Sequence, residues 1–200
     1  YTRAFIAEFA ARGGDEYEAM VRGFAASDNP DIAWRARRAL AARGLVDAGA
    51  VEAWRSTDGS GEAARMSVEA LASLPLQDAR SRAWESVYSE SLSNDFLTAT
   101  LAGLQASSWD GEAGIEAAVD RLRSYWESHT IGMALRYANG VLAYGLDSDR
   151  DGSVSRSVGL LRSWLDTNSD APAQLRRIVI EHLDAFERDE RVQRRWKQDQ

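Results

Sequence analysis

Apolar residues recur at helical spacing along almost the whole chain, and no stretch alternates convincingly with period two. An all-α fold is the expectation. The last segment is the clearest: Leu175, Ile178, Val179, Leu183 and Phe186 form one apolar stripe, with arginines and acids elsewhere on the helix. Gly13-Gly14 ends a first helix, Asp15 and Glu18 have capping-box spacing, and Pro30, Pro75 and Pro172 each fall in an expected first turn. The pattern predicts helices at about 2–12, 16–26, 30–43, 47–56, 61–73, 76–90, 94–106, 111–127, 130–144, 154–166 and 171–195. About eleven helices with short connections should pack as antiparallel hairpins. Helix 76–90 presents Ala83, Trp84, Val87 and Tyr88 on one side, with Trp84 expected to be buried. Helix 130–144 is apolar over most of its circumference (Ile131, Met133, Leu135, Ala138, Val141, Leu142), which predicts a place in the middle of the stack.

Two hundred residues, 44% hydrophobic and 28% charged, are enough for a buried core, and a single helical domain over 1–200 is expected. The chain has no apolar run of membrane-spanning length and no stretch with a signal-peptide pattern, so no membrane partner is expected. It has no cysteine, which excludes disulfides and thiolate metal sites and is compatible with a cytoplasmic location. A net charge of −7 argues against a nucleic-acid partner, which needs a basic face to displace counterions. The one basic cluster, Arg188, Arg191, Arg194, Arg195 and Lys197, lies where cations complement the negative end of a helix dipole. Arginine outnumbers lysine 23 to 1 and alanine is abundant, a bias expected of a GC-rich bacterial genome. Tyr1-Thr2-Arg3-Ala4-Phe5 reads as the inside of a helix, so a piece of something longer is expected.

Residues able to carry chemistry are few. The two histidines, His129 and His182, are far apart in sequence, and no H-E-x-x-H, G-x-S-x-G, phosphate loop or dinucleotide fingerprint occurs. His182 falls within the apolar stripe of the last helix and His129 beside an expected cap, Thr130, so both read as structural. The seven tryptophans are irregularly spaced on mostly apolar faces and read as core. One stretch, LDSDRDGSVS (146–155), looks like half of a calcium loop. Asp147, Asp149 and Asp151 stand at positions one, three and five, and Gly152 at six. The bidentate carboxylate needed at position twelve is replaced by Val158, and Asp, Gly and a capping serine explain the stretch as a turn. The three aspartates are the chain's metal candidates; no catalytic or cofactor-binding residue is assigned.

Several stretches together resemble a known family. DIAWRARRALAARG (31–44) is similar to a D-x-x-L-R-W-x-x-L-x-x-L-A-A-x-G segment in the C-terminal helical domain of bacterial zinc aminopeptidases of the aminopeptidase N family. TDGSGEAARMSVEALASLP (57–75) resembles that domain's T-x-x-G…A-x-x-A…P stretch. AWESVYSESLSNDFLTATLAGLQ (83–105), YWESHTIGMALRYANGVL (125–142) and LRRIVIEHLDAFER (175–188) follow in the family's order. The chain departs from the pattern in Ala118-Val119, where an aromatic-rich run is expected, and in the acidic loop at 147–151.

The resemblance implies a HEAT-like or ARM-like curved superhelix of helix hairpins. It implies a wall that closes a chamber over an active site in an upstream thermolysin-like domain and limits access to short or unfolded peptides. Zinc, the catalytic glutamate and the amino-terminus-binding motif belong to that upstream domain, so this stretch is expected to hold no cofactor and to be inert alone. Its implied partners are the upstream domain of the same chain and a peptide substrate. Two other readings stay open: a free-standing helical scaffold for a protein partner, and a calcium-binding helical module.

Overall fold

The structure, a computed structural model, describes residues 1–89, 92–106, 112–143 and 153–198, and their side chains except those of 112–115, 153–156, 193 and 196–198. It is all-helical. Among the described residues there are twelve α-helices and no strand. They are α1 (Thr2–Arg12), α2 (Glu18–Ala25), α3 (Pro30–Ala42), α4 (Ala48–Thr57), α5 (Gly61–Ala72) and α6 (Gln77–Val87). Then come α7 (Asn94–Ala106), α8 (Glu112–Asp120), α9 (Leu122–Ser128), α10 (Ile131–Ala143), α11 (Ser153–Thr167) and α12 (Ala173–Gln198). The segment expected as one helix over 111–127 is divided at Arg121, where the backbone flattens to φ −85° and ψ −3°.

Packing divides the chain into two compact units, Tyr1–Asp110 and Gly111–Gln200. In the first unit α1, α3, α5 and α7 pack in succession as one row. On the other side α2 packs on α3, α4 on α5, and α6 on both α5 and α7. Two apolar clusters fill the space between. Ile6, Phe9, Val21 and Leu40 belong to one; Trp34, Val51, Met66 and Leu74 belong to the other, and Trp54 packs against both. Small residues let α3 be buried along most of its length: Ala33, Ala36, Ala39, Ala41 and Ala42 are all inaccessible.

Local chemistry fixes these helices. The Asn29 carboxamide accepts from the Asp31 and Ile32 amides and Pro30 occupies the first turn of α3. Asp47 and Ser60 cap α4 and α5 through the Ala50 and Ala63 amides at 2.8 and 3.1 Å. At the end of α3, Leu45 N–H donates to Leu40 and Gly44 N–H to Ala41, both at 2.9 Å, and Gly44 is left-handed at φ +67°. This pair of bonds is a Schellman motif, and it satisfies carbonyls that the helix end leaves open.

Three expected starts differ. Pro75 lies two residues before α6 and Pro172 immediately before α12, where its carbonyl accepts from the Arg176 amide at 3.0 Å. The Asp15/Glu18 capping box does not form. A 3-10 turn over Asp15–Tyr17 leads into α2 instead, with no side-chain cap.

Trp34 is 1% exposed, and its indole N–H donates to Asp58 at 3.3 Å. The Arg37 guanidinium lies over both the Trp34 and Trp54 rings, at 4.8 and 5.4 Å, and donates to the Ala25 carbonyl. One cation therefore ties α2, α3 and α4. The Ser60 hydroxyl and amide, and then the Trp34 indole, hold the Asp58 carboxyl below the ordinary carboxylate range. Trp84, expected to be buried, is half-buried and stacks on Tyr88 with centroids 6.0 Å apart, while Ala83 and Val87 take the inward positions. A helix 3.6 residues per turn cannot point four residues over adjacent positions inward equally, and the smaller pair lies on the inner line. Of the other tryptophans, Trp164 is buried and Trp54 and Trp126 are half-buried.

In the second unit α10 packs against α8, α9 and α12, and α11 pairs with α12. The central place expected of α10 holds within this unit, through Met133, Ala134, Tyr137, Ala138, Val141 and Leu142, although Ile131 faces solvent. The α12 stripe of Leu175, Ile178, Val179, Leu183 and Phe186 is buried throughout. Arg176 donates from α12 to the carbonyls of Leu165 and Asn168, closing the end of α11.

Candidate functional site

In the first unit a groove of about 310 Å³ lies between α4 and α6, at the lower end of the range of ligand clefts. Its floor is Val68, Leu71 and Ala72 of α5 with Leu74 from the following turn. Ala79 and Ala83 keep the α6 wall low, and Ala48 does the same on α4. The hydroxyls that reach the groove are already engaged: Ser86 donates to the Ala83 carbonyl and Thr100 to the Phe96 carbonyl, both at 2.8 Å. Glu52 on α4 and Arg82 on α6 also line it, both exposed, and neither has an ion-pair partner among the described residues. The groove is thus an apolar trough with one free acid and one free base, an arrangement suited to binding. A sequence reading does not find it, because four separate helices build it and no spacing along the chain marks the charges as a pair.

The histidines are not brought together at this groove. His129 ends α9 and stacks on Tyr125 at 3.8 Å, which in turn stacks on Tyr137 at 4.0 Å. Its Nδ1 lies 3.2 Å from the Tyr125 carbonyl and 2.9 Å from the Ser128 hydroxyl, and Tyr137 donates to the Ala118 carbonyl at 2.8 Å. This three-ring column holds α8, α9 and α10 together. His182 sits at the edge of the α12 stripe beside Phe186, with Nε2 3.4 Å from the Asn139 Oδ1. Burial lowers its pKa from the ordinary histidine value, against the opposing field of Glu181.

Asp147, Asp149 and Asp151 lie outside the described residues. Val158, at position twelve of that loop, is 5% exposed in the α11 core. Among the described residues no three His, Cys, Asp or Glu side chains gather as a metal site, and no helix is long and apolar enough to cross a membrane.

The most constrained charges are structural. Glu69, buried on α5, binds Arg38 at 2.7 Å and Arg65 at 3.7 Å, so its burial is compensated by two guanidinium groups. Arg123 grips Asp170 with two nitrogens at 2.8 and 3.1 Å, and this bond holds the Asp170 carboxyl below its ordinary range.

No protein-family model matches the chain, and no curated protein matches it either.

Proposed function

We propose that the chain is the C-terminal helical domain of a bacterial, cytoplasmic zinc aminopeptidase of the aminopeptidase N family. In this reading it is inert alone and forms part of the wall over an active site carried by an upstream domain. That domain removes N-terminal residues by attack of zinc-activated water. The observation that carries the reading is the order of five sequence stretches between residues 31 and 188. Several residues in those stretches carry fold-defining tasks: Gly44 turns left-handed after α3, Gly103 lies against the α5 backbone, and Leu175 and Val179 are fully buried. The successive packing of α1, α3, α5 and α7 supports a HEAT-like stack within the first unit. In the proposal such hairpins continue as a curved superhelix whose peptide-facing side restricts entry.

The test is the native reading frame. An H-E-x-x-H with a downstream glutamate ligand, encoded upstream in frame, is the expected result; a frame without a metallopeptidase domain removes the reading. A second reading, a free-standing helical scaffold for a protein partner, is favoured by one observation: the α4–α6 groove carries two charges that have no ion-pair partner among the described residues.

A further inference from the structure

We infer that the groove between α4 and α6 is a docking site for a linear peptide segment that carries one large apolar side chain between an acidic and a basic residue. The proposal does not depend on the aminopeptidase reading, since a scaffold and a chamber wall can both offer such a groove.

Three features fix the chemistry of the occupant. The floor of Val68, Leu71, Ala72 and Leu74 is apolar, and the alanines Ala79 and Ala83 leave space that no side chain among the described residues fills. The volume, about 310 Å³, suits an anchoring side chain or two and is too small for a whole packed helix. At the walls stand Glu52 and Arg82, of opposite sign and each without an ion partner among the described residues. Several other arginines of this unit are paired: Arg3 and Arg35 bind Asp31, Arg22 binds Glu18, and Arg65 binds Glu62. A peptide with an apolar anchor and one charge of each sign matches both the trough and its walls. Anchor burial supplies affinity, and the two charges supply selectivity.

The experiment uses residues 1–200 and three fluorescein-labelled peptides read by anisotropy at low ionic strength. Each has a central Trp in a Gly/Ser background, flanked by one Glu and one Lys, by two Lys, or by two Glu. The wild-type chain should prefer the mixed peptide over either like-charged peptide by about threefold to tenfold, the scale of one exposed charge pair turned from repulsion to attraction. Arg82→Glu makes both walls acidic and should shift the preference to the two-Lys peptide. Glu52→Arg makes both walls basic and should shift it to the two-Glu peptide. Because each variant gains a ligand, its binding also reports that it is folded. The preferences should fade in about 1 M salt. Replacing Trp by Gly in the mixed peptide, or filling the trough by Ser86→Trp, should abolish binding. The proposal is overturned if the wild-type chain binds no peptide at about 1 mM, or if the three proteins rank the peptides alike.

Discussion

Gly103 of α7 lies so close to α5 that a Cβ on the glycine would stand 2.2 Å from the Glu69 carbonyl oxygen and 2.7 Å from the Ala72 Cβ. The first contact is with backbone, which has no rotamer to relieve it. The row of α1, α3, α5 and α7 therefore depends on a missing methyl group at its α5–α7 junction.

Gly103→Ala should lower the unfolding free energy by about 2–3 kcal/mol, because the helices must separate over apolar surface they now share. Gly23→Ala is the control. A Cβ there meets nothing within 4 Å, so the substitution should be neutral or stabilise by up to about 1 kcal/mol. Urea denaturation of the two variants measures the difference, and equal midpoints would refute the close packing.

The tryptophans separate two environments. Trp34 is 1% exposed and bonded to Asp58, so Trp34→Ala should cost about 3–5 kcal/mol. Trp84 keeps one side in solvent against Tyr88, so Trp84→Ala should cost less, about 1–2 kcal/mol. Chemical denaturation with the order reversed would contradict the burial assigned to each.

His182 gives a pH dependence with a definite sign. Burial lowers its folded pKa below the ordinary value of about 6.5, so the unfolded chain binds the proton more readily. The stabilisation is present above the unfolded pKa and is lost as pH falls through the lower folded value. Thermal melts should therefore show a midpoint that declines on acidification below about pH 6.5. His182→Gln should flatten that decline. A wild-type midpoint that rises on acidification through this window would contradict it.

Much of this architecture was legible in the sequence, and the failures have physical causes. The α12 stripe could be read because Leu175, Ile178, Val179, Leu183 and Phe186 all follow one helical face. Trp84 misled because a large apolar side chain on an apolar side draws the eye inward, whereas the inner line goes to Ala83 and Val87. The Asp15/Glu18 spacing suggested a cap, but a 3-10 turn satisfies the local backbone without it. Nothing along the chain signals the Glu52–Arg82 groove, which depends on how α4 and α6 flank α5. Gly103 was legible as one position of the 83–105 resemblance but not as a close contact, because its partner in space, Glu69, is 34 residues away.

Calcium should bind weakly. Val158 occupies the position of the missing bidentate ligand and is committed to the α11 core at 5% exposure. Titration calorimetry should give a dissociation constant of about 1 mM or weaker, the range of sites short of carboxylate ligands. Micromolar affinity would favour the calcium-module reading over both others.

The proposal that this chain belongs to a zinc aminopeptidase is tested most directly by metal content and aminoacyl-anilide hydrolysis, measured on the full product of the native reading frame and on residues 1–200 alone. A catalytic zinc site needs three protein ligands, an open position and a nearby general base. The full product should hold stoichiometric zinc and lose its hydrolysis on chelation, whereas residues 1–200 should hold none and cleave nothing. Metal-dependent hydrolysis by residues 1–200 alone, or a full product without zinc and without hydrolysis, would contradict the account.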